Sequence, residues 1–156
     1  ATALLASSVI HLFQATIEKV VALAVLMPIV ASMGGIAGTQ SLTILIRAMA
    51  MGQINDRNQF WVVWRESLVG ALNGILWALV IAATAAIWFE DLTLGFIIAC
   101  AMLINLITAG CAGAGLPLAL KKLRVDPALA GGVMVTTVTD VVGFLAFLGL
   151  ASLFYA

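Results

Sequence analysis

Charge is what this sequence has least of. Only seven Lys or Arg and seven Asp or Glu occur in 156 residues, 9% of the chain, against roughly 25% in soluble globular proteins. Apolar residues make up 64%, against roughly 45–50%, and the mean hydropathy is +1.21. So few charges cannot cover a water-facing surface, so composition excludes the single soluble domain that a length prior of ~100–200 residues would suggest. Zero net charge excludes the basic footprint of a nucleic-acid binder. The chain has one His and two Cys, with no CxxC, no His-rich tract and no Lys-bearing phosphate loop, which removes the usual zinc and nucleotide sites. Cys100 and Cys111 stand eleven residues apart, about 16 Å along one helix. That is too far for a disulfide, so both read as packing residues. No repeat, low-complexity tract or N-x-Ser/Thr sequon is present.

What is present is a set of long runs between charge clusters. Arg47, Arg57 and Arg65 share one stretch with Asp56 and Glu66, and Lys121, Lys122 and Arg124 share another with Asp126. The other charges are Glu18–Lys19, Glu90–Asp91 and a solitary Asp140. Between them run uncharged segments of 27 residues (Val20–Ile46), 23 (Ser67–Phe89) and 29 (Leu92–Leu120). A fourth, Pro127–Ala156, is 30 residues broken only by Asp140. About 20 apolar residues suffice to cross a bilayer, so all four qualify. Ala1–Gln14 would cover only about 21 Å; without a basic leader region or a cleavage site it reads as the second half of a helix rather than a signal peptide. The expected architecture is an all-α, polytopic integral membrane protein. It is a five-helix transmembrane bundle forming one pore domain over 1–156, with helices at about 1–14, 17–50, 61–89, 92–121 and 127–155. The first helix would be truncated and belong to a longer protein. Six of the seven basic residues fall in two loops on one side, which the positive-inside bias makes cytoplasmic. The amino end is then inside and the carboxyl end outside.

Asp140 has thirteen uncharged residues before it back to Pro127 and sixteen after it, which places it near the bilayer midplane. A carboxylate there costs roughly 2.5–3.5 kcal/mol, so it should face the bundle or a wet cavity. No span holds a basic partner. Either the group is protonated, as in a proton relay, or its partner is a cation from outside the chain. At ~100° per residue, Gly132, Thr136, Thr139, Asp140, Gly143 and Phe147 fall on one arc. This stripe either permits close helix packing or lines an ion pathway. Oxygen-only ligands suit hard cations. One carboxylate is too little to strip a dication, but a two-fold dimer would bring two together at its axis. Two Asp140, with Thr136 carbonyls a turn away, suit Mg²⁺, which is often held through its waters.

Pro28, Gly34, Gly35 and Gly38, with Gln40 and neighbouring hydroxyls, interrupt the second span. Freed backbone groups are tolerated in the membrane only where protein or a wet cavity satisfies them, so this helix is expected to be broken beside the pathway; glycines for tight packing are the plainer alternative. Gly110, Gly113 and Gly115 read as packing residues. Glu66 and Asp126 belong to the cytoplasmic mouth, as cation attractors or as helix caps. Trp61, Trp64 and Trp88 suit an aromatic belt, and His11 a packed or interfacial imidazole.

Pro28, the run Gly34-Gly35-Ile36-Ala37-Gly38-Thr39-Gln40-Ser41, Arg47-Ala48, Ala50-Met51-Gly52 and Arg65-Glu66 together resemble the MgtE family of Mg²⁺ channels. Pro117, Asp126-Pro127-Ala128, Thr136-Thr137, Asp140, Gly143 and Ala151 follow in that family's order. The resemblance implies a homodimer of five-helix protomers with its pore at the dimer interface. Asp140 would hold a largely hydrated Mg²⁺ there, helped by main-chain oxygens near Thr136. It further implies cytoplasmic N and CBS regulatory domains, absent from this chain, and a place in a plasma membrane, that of a bacterium. Where the family usually has Asn after the double Gly this chain has Ile36, so any polar role of that side chain is lost. The expected function is passive conduction of Mg²⁺, with a proton- or Na⁺-coupled divalent transporter as the alternative. An intramembrane aspartyl protease would need two membrane acids in one chain, so no enzyme is expected. A purely structural assembly subunit predicts that Asp140→Asn is harmless.

Overall fold

The computed structural model describes residues 2–155, which form six helices: α1 (Thr2–Leu12), α2 (Gln14–Lys19), α3 (Ala22–Ala50), α4 (Gln59–Phe89), α5 (Leu92–Lys122) and α6 (Pro127–Phe154). The last four are long and apolar enough to cross a membrane. Six segments replace the expected five because the first segment is interrupted at Phe13 and α3 begins at Ala22 rather than at 17. The turn falls just past the Glu18–Lys19 pair, at Val20, whose backbone leaves the helical region (φ −128°, ψ 84°).

The ends of the long helices follow from local chemistry. α3 stops at Gly52, which takes the left-handed conformation (φ 69°). Gln53 N–H then donates to Ala48 O and Gly52 N–H to Met49 O, the paired bonds of a Schellman cap. Asp91 caps α5, its carboxylate accepting from Thr93 N–H and Leu94 N–H. Asp126 caps α6 through Ala128 N–H at 2.9 Å, with Pro127 at the first helical position, where its missing N–H costs nothing. At the other end of α6 the Tyr155 hydroxyl donates to Asp91, tying that end to the start of α5.

The middle helix of the bundle is α5. Half of its most apolar window is buried, against 22% for α4, because α5 packs on α3, α4 and α6 whereas α4 meets little besides α5. The α4–α5 seam is built on glycine. A Cβ at Gly70 would stand 2.4 Å from Leu106 O, and one at Gly110 2.4 Å from Glu66 O. With Gly74 the pair Gly70/Gly74 has the spacing that lets membrane helices approach backbone to backbone. On the other side α3 and α6 pack on each other and on α5, and α1 lies against α6. Phe147, Leu23, Leu26, Ile97, Ile98 and Met102 fill the centre and are fully enclosed.

The expected break in α3 does not occur: the helix runs unbroken from Ala22 to Ala50 with Pro28 inside it. Pro28 is the seventh helical residue, so it deletes one hydrogen bond near the start. Two residues on, Val30 O accepts an extra bond at 2.8 Å from the buried amide of Asn105 on α5. Gly34 and Gly38 are buried against Asn105 and Val135. Tight packing is thus their role in the protomer. Of the glycines read as packing residues in α5, Gly110 and Gly113 meet backbone atoms, but Gly115 faces open space.

Candidate ion-binding face of α6

The arc of small and polar residues on α6 divides in two. Thr139, Gly143 and Phe147, at successive turns, point into the bundle and are buried. A Cβ at Gly38 would stand 3.6 Å from the Thr139 methyl, and one at Gly143 2.7 Å from the Asn105 Nδ2. Gly132, Thr136 and Asp140, also at successive turns, lie on the open side. Among the described residues no atom of another helix lies within 4 Å of where a Cβ at Gly132 would stand, Thr136 is exposed and Asp140 is half-buried. An arc of about 100° is wide enough for its two edges to meet different surroundings, so sequence spacing alone could not separate them.

Among the described residues Asp140 forms no ion pair; the single one joins Arg65 to Glu66 at 3.1 Å. Nor is there, among the described residues, any group of three or more His, Cys, Asp or Glu that could cage a metal. The Thr136 hydroxyl donates to Gly132 O at 2.8 Å, and the Thr139 hydroxyl to Thr136 O at 3.0 Å. The Thr139 hydroxyl is also within reach of Val135 O at 3.1 Å, so it is divided between two carbonyls of its own helix. On α3, a Cβ at Gly35 would stand 3.9 Å from the Thr136 methyl. Gln40 is exposed and lines a shallow hollow with Thr39, Thr43 and Ile44.

Both residues assigned to the mouth are engaged by their own chain. Asp126 is the α6 cap described above. Glu66 is 6% exposed, accepts from the Ser41 hydroxyl at 3.0 Å and pairs with Arg65, whose guanidinium lies over the Trp61 ring at 5.4 Å. It ties α4 to α3 where the two helices otherwise scarcely touch.

Asn105 is the feature that sequence reasoning passed over. It is fully buried, its Nδ2 serves Val30 O, and its Oδ1 has no partner. Gly34 of α3 and Gly143 of α6 both make room for it. Gly143 is one turn from Asp140, about 4.5 Å along the axis. A lone amide in the middle of the 92–120 span carries the same signal that singled out Asp140.

The sequence profile described as "Divalent cation transporter", MgtE, matches residues 27–150. The chain is 35% identical over 151 residues, 97% of its length, to a magnesium transporter MgtE of Bacillus subtilis (strain 168). It is 34% identical to one from Enterococcus faecalis and 33% identical to one from Thermus thermophilus, over 95% and 97% of its length. The chain belongs to the MgtE family. It spans about a third of the length of these relatives (34%, 33% and 34%), and the four long apolar helices agree with an integral membrane location for an MgtE domain. The matched region runs from just before Pro28 to beyond Gly143, so it contains Asp140, its open stripe and the glycines of α3.

Proposed function

We propose that this chain is the membrane-crossing part of a Mg²⁺ channel, in which two copies place their Asp140 carboxylates on either side of one hydrated cation. The observation that carries this reading is the open stripe of Gly132, Thr136 and Asp140 on α6, which the chain's own helices leave uncovered. A half-buried carboxylate at mid-span without a basic partner needs either a proton or a cation. Membership of a divalent-cation transporter family favours the cation. One carboxylate per chain is too few ligands for a bare dication, and a two-fold axis doubles them.

In this arrangement Gly132 leaves width for the ion's water and Thr136 supplies oxygens one turn from Asp140. Gly35 and Gln40 of α3 form the adjoining wall. Thr139, Gly143, Gly34 and Gly38 hold α6 and α3 in place from behind and are not wetted. The basic loops around Arg47–Arg65 and Lys121–Arg124 face the cytoplasm of a bacterial cell, the amino end inside and the carboxyl end outside. Regulatory domains on the cytoplasmic side complete the protein. At 100 mV, inside negative, a dication gains about 4.6 kcal/mol on entry, twice ~2.3 kcal/mol per charge, so uptake needs no coupled ion.

Mg²⁺ flux into proteoliposomes under an imposed inside-negative potential tests this. Wild-type flux is expected to be voltage-driven and insensitive to pH, and Asp140→Ala to abolish it. Flux that survives the substitution would leave Asp140 as an assembly residue. Flux that requires a proton or Na⁺ gradient would replace the channel with a coupled transporter.

A further inference from the structure

At the end of the bundle that carries Lys121 and Lys122, two hollows adjoin. The first, about 400 Å³, lies between the loop after α3 and the last turn of α5, with Asp56, Gln59, Lys121 and Lys122 on its walls. The second, about 440 Å³, continues between α4 and α5 over Phe60, Val63, Gly115 and Ala119. They share Asp56, Gln59, Leu118 and Lys122, and each lies within the roughly 300–1,000 Å³ of small-molecule sites.

The two ends differ in chemistry. The first is cationic: Lys121 and Lys122 are exposed and form no ion pair among the described residues. Asp56 is engaged by Gln59, whose Nε2 donates to its Oδ1 at 2.6 Å, leaving two positive charges against one negative. The loop that walls this basin keeps its own shape. Asn58 Nδ2 donates to Gln53 O at 2.9 Å, and Asn55 Oδ1 accepts from Arg57 N–H and Asn58 N–H. The second end is apolar and opens on the flank of the molecule. Gly115 has empty space where a side chain would stand, in a helix whose other glycines are pressed against neighbours, and Phe60 beside it is 82% exposed. A cationic basin with an apolar groove running from it along the flank of the helices is complementary to an anionic lipid, and basic pockets between membrane helices bind such head groups.

We propose that this cleft binds one anionic glycerophospholipid, its phosphate on Lys121 and Lys122 and an acyl chain laid along Phe60, Val63 and Gly115. The site is separate from the α6 stripe and independent of which ion the protein carries. Protein in phosphatidylcholine nanodiscs is titrated with phosphatidylglycerol, and the lipid retained per chain is counted by native mass spectrometry beside the melting temperature. One phosphatidylglycerol is expected to be retained and to raise the melting temperature. The double variant Lys121→Gln/Lys122→Gln is expected to weaken retention about 30-fold, a factor of about five for each lysine. Gly115→Leu fills the groove without changing charge and is expected to abolish retention while leaving melting in pure phosphatidylcholine unchanged. Ala119→Leu, on the exposed wall of the same groove, repeats the steric test if Gly115→Leu folds poorly. Equal retention of phosphatidylcholine, or retention that survives the lysine changes or the groove-filling changes, would overturn the proposal. So would equal protection by glycerol 3-phosphate, which carries no acyl chain and would mark a site for free anions.

Discussion

The two sides of α5 are both rich in glycine but are built differently. Towards α4 the glycines bring backbone against backbone: what stands in the way of a Cβ at Gly70 is the Leu106 carbonyl, and at Gly110 the Glu66 carbonyl. Towards α3 one glycine, Gly113, makes the same kind of contact with Gly38 O, but near mid-span two others, on α3 and α6, surround a side chain. Gly34 and Gly143 are small because the Asn105 amide occupies the space between the helices. Lipid is as apolar as the helices themselves, so the first seam rests chiefly on close contact, with one polar contact across it between Ser67 Oγ and Cys111 Sγ at 2.9 Å. The second adds a hydrogen bond to Val30 O, made where water cannot compete. A membrane bundle can thus fix one helix pair by shape and orient another pair by a single polar group. The oriented pair here is α3 and α6, which carry the candidate ion-binding face.

The sharpest way to break this contrast is to add one methyl group on each side. Gly70→Ala puts a Cβ 2.4 Å from a carbonyl oxygen that cannot move without moving α5. Overpacking of this kind costs about 3 kcal/mol, read as a lowered melting temperature in detergent or as loss of folded protein. No change of a neighbouring side chain should rescue it. At Gly34→Ala the three atoms nearest the new Cβ all belong to the Asn105 side chain, the closest at 2.3 Å, and the change is expected to cost about 1–2 kcal/mol. Asn105→Ala removes the obstacle, so Gly34→Ala in that background should be near neutral. A double-mutant cycle therefore separates the seams: a coupling of at least about 1 kcal/mol for Gly34 with Asn105, and none between Gly70 and any side chain. Equal behaviour at both glycines would erase the distinction.

Much of this was legible beforehand. Charge clusters located the four long helices to within a few residues, because clustered charges collect near the ends of membrane spans, whereas the lone Asp140 interrupts none. The cap at Asp126 was readable as well, since Asp followed by Pro before an apolar run is an N-terminal signature. What could not be read was direction. Thr136 and Thr139 sit three residues apart on one arc, yet one is exposed and the other enclosed, and only the position of α3 decides between them. Pro28 and the glycines of α3 carry a signal for a broken helix and for a packed one alike. Which it is depends on Asn105, seventy-five residues from the carbonyl it bonds. Likewise Glu66 reads as an exposed acid at a helix start until Ser41 is placed beside it.

The smallest expected effect tests whether the Asn105 bond matters because it is dry. At the end of the same side of the bundle, outside the spanning segments, the Tyr155 hydroxyl donates to Asp91 and ties α6 to α5. That bond, with the backbone bonds from Leu94 and Thr93, holds the Asp91 carboxyl below its usual range. Partial burial, with the bond to Asp91, raises the Tyr155 hydroxyl above its own. A lowered carboxyl contributes stability above its unfolded pKa of roughly 4 and loses it as pH falls through the folded value; a raised phenol contributes below roughly 10 and loses it as pH rises further. Tyr155→Phe should therefore cost about 1 kcal/mol near neutral pH, with the difference from wild type closing at both extremes in melting curves taken across pH. Asn105→Leu removes a bond whose partners do not titrate, so its deficit should stay flat over the same range. A pH-independent deficit for Tyr155→Phe would mean that the ring, and not its hydroxyl, joins the two helices.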